Sequence, residues 1–249
     1  MVEQQRIIVI GATSAIAEHC TRLWVTSPAT VMLVGRDEDR LQRVAADLRV
    51  RSPASAITCA AIDFCDPAAI RTLVDDFAMG GAIDIALIAH GTLPDQQHCQ
   101  QDLMACRDAM EINSLSPALF MEALAGHMGP ANRGRLAVIG SVAGDRGRRS
   151  NYVYGASKSL LDRYAQGLQH RFAQSGCRIC LVKPGPTATP MTARLEGEGL
   201  SFAPVEDVAE AIVKGIGKGK PVIYAPGKWA LIMMVIRHLP RFIFNRLDI

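Results

Sequence analysis

No apolar stretch of this 249-residue chain is long enough to cross a bilayer. A spanning helix needs roughly 20 apolar residues, and Trp229 to Ile236, the longest uninterrupted run in the C-terminal region, has eight. A disulfide framework is also missing. The seven cysteines are odd in number and irregularly spaced, and the first residues carry no signal-peptide pattern, which together predict a reduced, cytoplasmic protein. Cys177 and Cys180 lie in an apolar, strand-like stretch, where residues three apart face opposite sides, which argues against a metal or redox pair. The histidines show no ligand spacing, so no metal site is expected. Excess charge is scarce too. A net +3 is too small to argue for nucleic acid, and Lys228, Arg237, Arg241 and Arg246 against Asp248 place all of it in the last 22 residues. No low-complexity linker, charge block or internal repeat divides the chain.

What is present is an alternation. Short Val- and Ile-rich runs predict strands at Arg6–Ile10, Thr30–Val34, Ala56–Ile62, Ile83–Ala89, Arg135–Ile139, Arg178–Val182 and Val222–Tyr224. Between them, amphipathic stretches predict helices at Ala15–Val25, Glu38–Arg49, Ala68–Phe77, Asp102–His127, Tyr152–Gln174 and Glu206–Gly215. Strands apolar on both sides belong in a parallel sheet covered on both faces. The expected fold is α/β: a single doubly wound (Rossmann) domain with a mostly parallel seven-stranded sheet over residues 1–228, and a helical extension over 229–249.

The first strand runs into Gly11-Ala12-Thr13-Ser14-Ala15-Ile16-Ala17-Glu18. A strand–turn–helix there offers free backbone N–H groups and a positive helix end to a pyrophosphate. The second strand ends in Val34-Gly35-Arg36-Asp37. An acidic residue at that strand end accepts the ribose hydroxyls of NAD, whereas an Arg accommodates the 2′-phosphate of NADP. Here Gly35 holds the acidic position and Arg36 follows it; a solvated or loop-capping Arg36 is the plainer alternative. Tyr154 and Lys158 are four apart and project from one helix face. A nearby ammonium favours the phenolate and lowers a tyrosine pKa that is ordinarily near 10. Ser141 lies thirteen residues before Tyr154 in a Gly-Ser turn at a strand end, where active-site groups of open parallel sheets collect.

These motifs resemble the short-chain dehydrogenase/reductase superfamily over almost the whole chain. The resemblance implies that Ser141 hydrogen-bonds a substrate carbonyl, Tyr154 is the general acid for reduction and Lys158 holds the nicotinamide ribose. Asn113 matches a helix asparagine that supports a water relay to that lysine. The implied cofactor is NADP, bound by Gly11, Thr13, Ser14, Ala15, Ile16, Arg36, Asp63, Ala89, Gly91, Tyr154, Lys158, Pro184, Gly185, Thr187 and Thr189. Asp63 matches an aspartate near the adenine, or else caps the helix ahead of Pro67. The chain departs from the family pattern where Ala15 and Ala17 replace loop glycines and where Ala89-His90-Gly91 replaces Asn-Ala-Gly. Ala15 places a methyl where backbone normally nears the phosphate; Ala89 implies a different local hydrogen-bond solution. His90 either touches the cofactor or is packed or solvent-facing.

Arg146, Arg148 and Arg149 before the catalytic helix either meet a phosphate or form a solvated turn. In the C-terminal segment Leu231, Met234, Val235, Leu239 and Phe242 fall at roughly helical spacing, with a break expected at Pro240. Basic residues beside Trp and Leu suit an anionic membrane surface at the cytoplasmic face, while packing on the domain or a partner subunit is the alternative. With the block Gly144–Gly155, this segment is similar to the decaprenylphosphoryl-2-keto-ribose reductase branch, which implies a keto sugar on a polyprenyl phosphate. A 3-oxoacyl reductase and a non-catalytic NADPH sensor are the competing readings; the superfamily also implies dimers or tetramers.

Overall fold

Ile7 to Ile10 are all fully buried, so β1 (Gln5–Ile10) must be covered on both faces. The computed structural model describes residues 4–195 and 201–247; Asp248 and Ile249, the end of the expected tail, lie outside the described residues. β2 (Ala29–Gly35), β3 (Ala56–Ala61), β4 (Ile85–Ile88), β5 (Arg135–Ile139), β6 (Arg178–Pro184) and β7 (Val222–Ala225) join β1 in one sheet. Its order is β3-β2-β1-β4-β5-β6-β7 and every pairing is parallel. This is the expected doubly wound α/β fold.

Alternate β1 side chains serve the two faces. Ile7 and Val9 pack with Cys20 and Trp24 of α1 (Ala15–Trp24), Leu41 and Leu48 of α2 (Glu38–Arg51) and Ile212 of α8 (Val205–Gly217). Ile8 and Ile10 pack with Ile70 and Phe77 of α3 (Pro67–Met79), Phe120 and Leu124 of α6 (Ser116–Met128) and Leu161 of α7 (Tyr152–Arg171). Fully burying each such side chain contributes about 1.5–3 kcal/mol. Cys180 belongs to the first layer and Cys177 to the second, opposite ways as their spacing requires.

The long helix expected over Asp102–His127 is more articulated. A short α4 (Gln96–Gln101) precedes α5 (Leu103–Met110), whose start Asp102 caps by accepting from the N–H groups of Met104 and Ala105. A π-helical turn, Glu111–Leu115, then joins α5 to α6, with the Ser116 N–H reaching back five residues to the Glu111 carbonyl. Pro117 has no N–H for the Asn113 carbonyl four residues back, and its ring crowds that position. The irregular turn therefore falls on Asn113. At the other end, α9 (Lys228–His238) stops before Pro240 and α10 (Arg241–Phe244) starts after it, the expected break.

The order of strands reverses between β1 and β4. Ile10 pairs with Val34 on one side and Ile88 on the other, so the C-terminal ends of β2, β1 and β4 finish level and open a crevice where ligands of such sheets sit.

Candidate active site

A cleft of about 590 Å³ occupies this crevice, within the roughly 300–1,000 Å³ usual for small-molecule and cofactor sites. The turn after β1 forms one end. Gly11 has φ +79°, and a Cβ on it would lie 2.5 Å from the His90 backbone nitrogen, so only glycine lets the β1 and β4 loops touch. Thr13, Ser14, Ala15 and Ile16 follow along the cleft wall at the start of α1, where the first helical N–H groups lack intrahelical acceptors. Ala17 is fully buried in the sheet–helix layer, a packing role its methyl fills well.

Gly35 and Arg36 line the same end with Asp37 and Arg40. The Asp37 carboxylate caps α2 by accepting from the Arg40 N–H at 3.0 Å. The Arg36 guanidinium stands 6.0 Å from the Phe64 ring centroid. Asp63 is not among the lining residues; it is exposed and accepts from the Cys65 N–H. Nor does it cap α3, since Asp66 does that through the Ala68 N–H. Phe64 occupies the wall instead.

Ala89, His90 and Gly91 line the middle of the cleft. His90 is packed, not solvent-facing: its ring lies 4.5 Å from Phe64 and 5.5 Å from Phe120. Its Nε2 meets Ser116 Oγ at 2.8 Å, and that hydroxyl donates to the Phe64 carbonyl at 2.6 Å. With the serine proton committed, Nε2 carries the hydrogen. These two hydrogen bonds tie the β4 loop to α6 and to the Phe64 carbonyl. Burial, then the charges of Lys158 and Arg36, pull the imidazole down to about 3, so it is neutral.

Ser141, Tyr154 and Lys158 converge at the other end. The turn carrying Ser141 continues into a short 3-10 helix, Val142–Asp145, which lies directly on α7. A Cβ on Gly144 would sit 2.9 Å from the Lys158 backbone and one on Gly155 2.9 Å from the Ala143 carbonyl, so the two glycines set this contact. Ser141 accepts from the Ala143 N–H at 3.1 Å and hydrogen-bonds the Tyr154 phenol. The Lys158 ammonium donates to the Ile139 carbonyl at 3.0 Å and stands 5.7 Å from the Tyr154 ring centroid. Burial brings the lysine down to about 8, with Asp162 opposing. The tyrosine differs from the sequence argument: burial raises its pKa and only the Ser141 bond pulls it back. The phenol thus stays protonated at neutral pH, as suits a proton donor. Asn113 is nearby with its amide spent, accepting from the Thr92 N–H at 2.9 Å and donating to the Ala109 carbonyl at 2.9 Å.

Pro184, Gly185, Thr187 and Thr189 close the cleft with Thr192. Thr187 donates to the Gly185 carbonyl at 2.9 Å, and Thr192 donates to the Thr187 carbonyl at 2.6 Å. Trp229 of α9 lies over Gly185 so closely that a Cβ there would fall 1.9 Å from the indole nitrogen. Arg146 neither meets a phosphate site nor sits in a solvated turn. It donates to the carbonyls of Ile236 and Leu239, the latter at 2.7 Å, and its guanidinium lies 3.8 Å from the Phe244 ring centroid. Arg148 approaches the Met233 sulfur at 3.9 Å. The C-terminal segment is therefore fastened to the loops on both sides of Tyr154. Sequence reasoning missed Phe64, Arg40 and Thr92 as lining residues; Arg40, one turn past Arg36 on α2, carried the readable signal.

Every expected site residue except Asp63 thus borders one cleft of a doubly wound sheet, the arrangement of a nucleotide-dependent enzyme. The short chain dehydrogenase family profile matches residues 5–198, and the chain belongs to that family of nicotinamide-dependent oxidoreductases. An uncharacterized oxidoreductase of Mycobacterium tuberculosis is 34% identical over 97% of this chain and 96% of its own. Among solved structures, a short-chain type dehydrogenase/reductase from Mycobacterium ulcerans superposes with a TM-score of 0.82 at 21% identity, covering 99% of this chain and 100% of its own. A short-chain dehydrogenase from Sphingobium yanoikuyae in complex with NADPH gives 0.80 at 21% identity, covering 95% and 97%.

Proposed function

We propose that the protein reduces a ketone with NADPH, Tyr154 serving as general acid. The observation that carries this reading is the meeting of Ser141, Tyr154 and Lys158 at one end of a cleft whose other end holds the Gly11–Ile16 turn and Arg36. The residues fit the cofactor. The first turn of α1 suits a pyrophosphate, and Arg36 suits a 2′-phosphate where the NAD-selecting acid is absent. The Ala15 methyl is the one misfit. Bound NADPH supplies the hydride. Ser141 donates to the carbonyl oxygen, and the Tyr154 phenol delivers its proton there as negative charge develops. The Lys158 ammonium holds the nicotinamide ribose and stabilises the phenolate left behind. The Asn113 main-chain carbonyl, which Pro117 leaves without its i+4 donor, is the acceptor for a water relay to Lys158. A panel of keto sugars and 3-oxoacyl thioesters, followed by NADPH consumption, tests the reading. Tight NADPH binding with no ketone consumed would overturn it in favour of a sensor.

The C-terminal segment supports a lipid-linked substrate, a polyprenyl-phosphate keto sugar, and a peripheral position at the cytoplasmic membrane face. Among the described residues no helix is long and apolar enough to cross a membrane. Leu231, Val235 and Phe242 are 64%, 55% and 67% exposed, and no acidic residue occurs from Ala211 to Leu247. Apolar side chains set among uncompensated cations match an anionic headgroup layer. The double substitution Leu231→Asp with Val235→Asp should abolish co-sedimentation with phosphatidylglycerol vesicles at low salt and leave thermal stability unchanged. Deleting residues 229–249 should also destabilise the domain, because Trp229, Met233 and Phe244 pack on it. Failure of the intact protein to bind such vesicles would leave packing as the segment's role. The partly exposed Leu115, Leu119 and Leu160 on the π turn, α6 and α7 support a dimer or tetramer built on those helices.

A further inference from the structure

Beneath the cleft floor lies a buried charge cluster that the proposed chemistry does not use. The Lys183 ammonium donates to both Asp145 and Asp162, and Tyr224 donates to the second oxygen of Asp145 at 2.8 Å. All three charged side chains are more than nine-tenths buried. Each belongs to a different part of the site. Asp145 ends the 3-10 helix that Ser141 opens, Asp162 is one turn beyond Lys158 on α7, and Lys183 immediately precedes the Pro184-Gly185 turn. Burial pushes the Asp162 carboxyl above its usual range while the Lys183 ammonium pulls it back; with both carboxylates ionised, one cation against two anions leaves the cluster one negative charge in excess. The surplus sits on the α7 side, since the Asp162 Oδ1 atom is buried with no hydrogen-bond partner. A buried carboxylate oxygen without a donor is costly to keep, and replacing such ionic groups by apolar ones is often stabilising. Stability alone is thus a poor reason for this arrangement.

We propose that Asp162 is a positioning residue for Lys158: with Lys183 and Asp145 it joins the three catalytic segments into one buried block and places a surplus negative charge under the lysine ammonium. The inference rests on the reading of Lys158 as the cation that supports Tyr154. Tyr154, Lys158 and Asp162 follow one another at four-residue intervals on the same face of α7. Among the described residues, no other group facing Lys158 supplies the charge. Tyr154 is a protonated phenol, His90 from the β4 loop is neutral, Asn113 and Ser141 are uncharged, and the direct acceptor is the Ile139 carbonyl. The Asp145 carboxylate is offset by Lys183. Burial alone favours a neutral lysine amine, so Asp162 is what holds the proton on Nζ near the upper end of physiological pH.

The test needs neither cofactor nor substrate. The chain has six lysines, of which Lys158 and Lys183 are the buried ones, so NMR titration of 13Cε-labelled lysine in the unliganded protein resolves them. Asp162→Asn keeps the shape and still accepts from Lys183. It should lower the Lys158 titration midpoint by at least about half a pH unit, given one charge lost in a poorly screened site. The alkaline limb of kcat against pH should move down with it, while NADPH affinity measured at pH 6 stays constant. Asp145→Asn, at the carboxylate that Lys183 and Tyr224 both engage, should move the midpoint the same way by less, and it decides the matter if Asp162→Asn does not fold. An unchanged Lys158 midpoint in these variants overturns the proposal and makes the cluster a structural tie. A shifted midpoint in a protein that reduces no ketone leaves it standing and removes the functional reading instead.

Discussion

Tyr154→Phe is expected to lower ketone turnover at least about a hundredfold while thermal stability and NADPH affinity stay close to those of the parent protein. The substitution removes one oxygen and keeps the ring that packs between the Ser141 turn and Lys158. Positioned proton transfer contributes about 10²–10⁴-fold to such reactions. Water is a poor replacement, because the proposed donor must lie within hydrogen-bond reach of the carbonyl oxygen that Ser141 would also hold. The raised pKa of the phenol sharpens the expectation. The proton is on the phenol throughout pH 6 to 8, so its loss should depress turnover evenly over that range. Near-normal turnover on any ketone the parent accepts would assign the acid to another group.

Arg36→Ala should weaken NADPH by roughly ten- to a hundredfold and leave NADH almost unchanged. A charge-assisted hydrogen bond is worth about 1.5–3 kcal/mol, and each 1.4 kcal/mol is about tenfold in affinity. Because Arg36 is exposed, salt screening should hold the effect to the lower part of that range. Arg40, on the same wall, keeps part of the attraction. Fluorescence titration of both cofactors against both proteins measures the difference. An equal loss for NADPH and NADH would show that Arg36 shapes the loop and does not read the phosphate.

The parts of this molecule that were legible in sequence are those with a short-range physical cause. Ile7 to Ile10 must be covered on two faces, and Tyr154 and Lys158 must share a helix face whatever surrounds them. The Gly11 turn had to follow a strand and open a helix. The unreadable parts depend on a distant partner. Arg146 looked like a phosphate ligand or a solvated side chain until the C-terminal segment supplied three carbonyls and the Phe244 ring for it, about ninety residues on. Asp63 was read as a cofactor contact or as the cap ahead of Pro67, and the chain path gives the cap to Asp66 instead. His90 could not be placed without knowing that Phe64, Ser116 and Phe120 meet around it. The π turn at Asn113 was readable in principle, since Pro117 inside a long helical pattern demands a compensation.

The seating of Trp229 on Gly185 gives the protein a built-in optical gauge. It has two tryptophans, and the other, Trp24, lies at the far end of α1 among core side chains. Indole emission overlaps the absorption of a reduced nicotinamide, so excitation of Trp229 should pass to a ligand held against the Pro184-Gly185 turn and emerge as nicotinamide fluorescence. Titrating NADPH should quench the indole signal and raise the longer-wavelength one in step, and Trp229→Phe should remove most of that transfer. Because α9 also carries the outward Leu231 and Val235, the same signal would test the proposed lipid contact by registering any shift of the helix on addition of vesicles. Cofactor occupancy and docking of the C-terminal segment could then be followed in one cuvette without an attached dye.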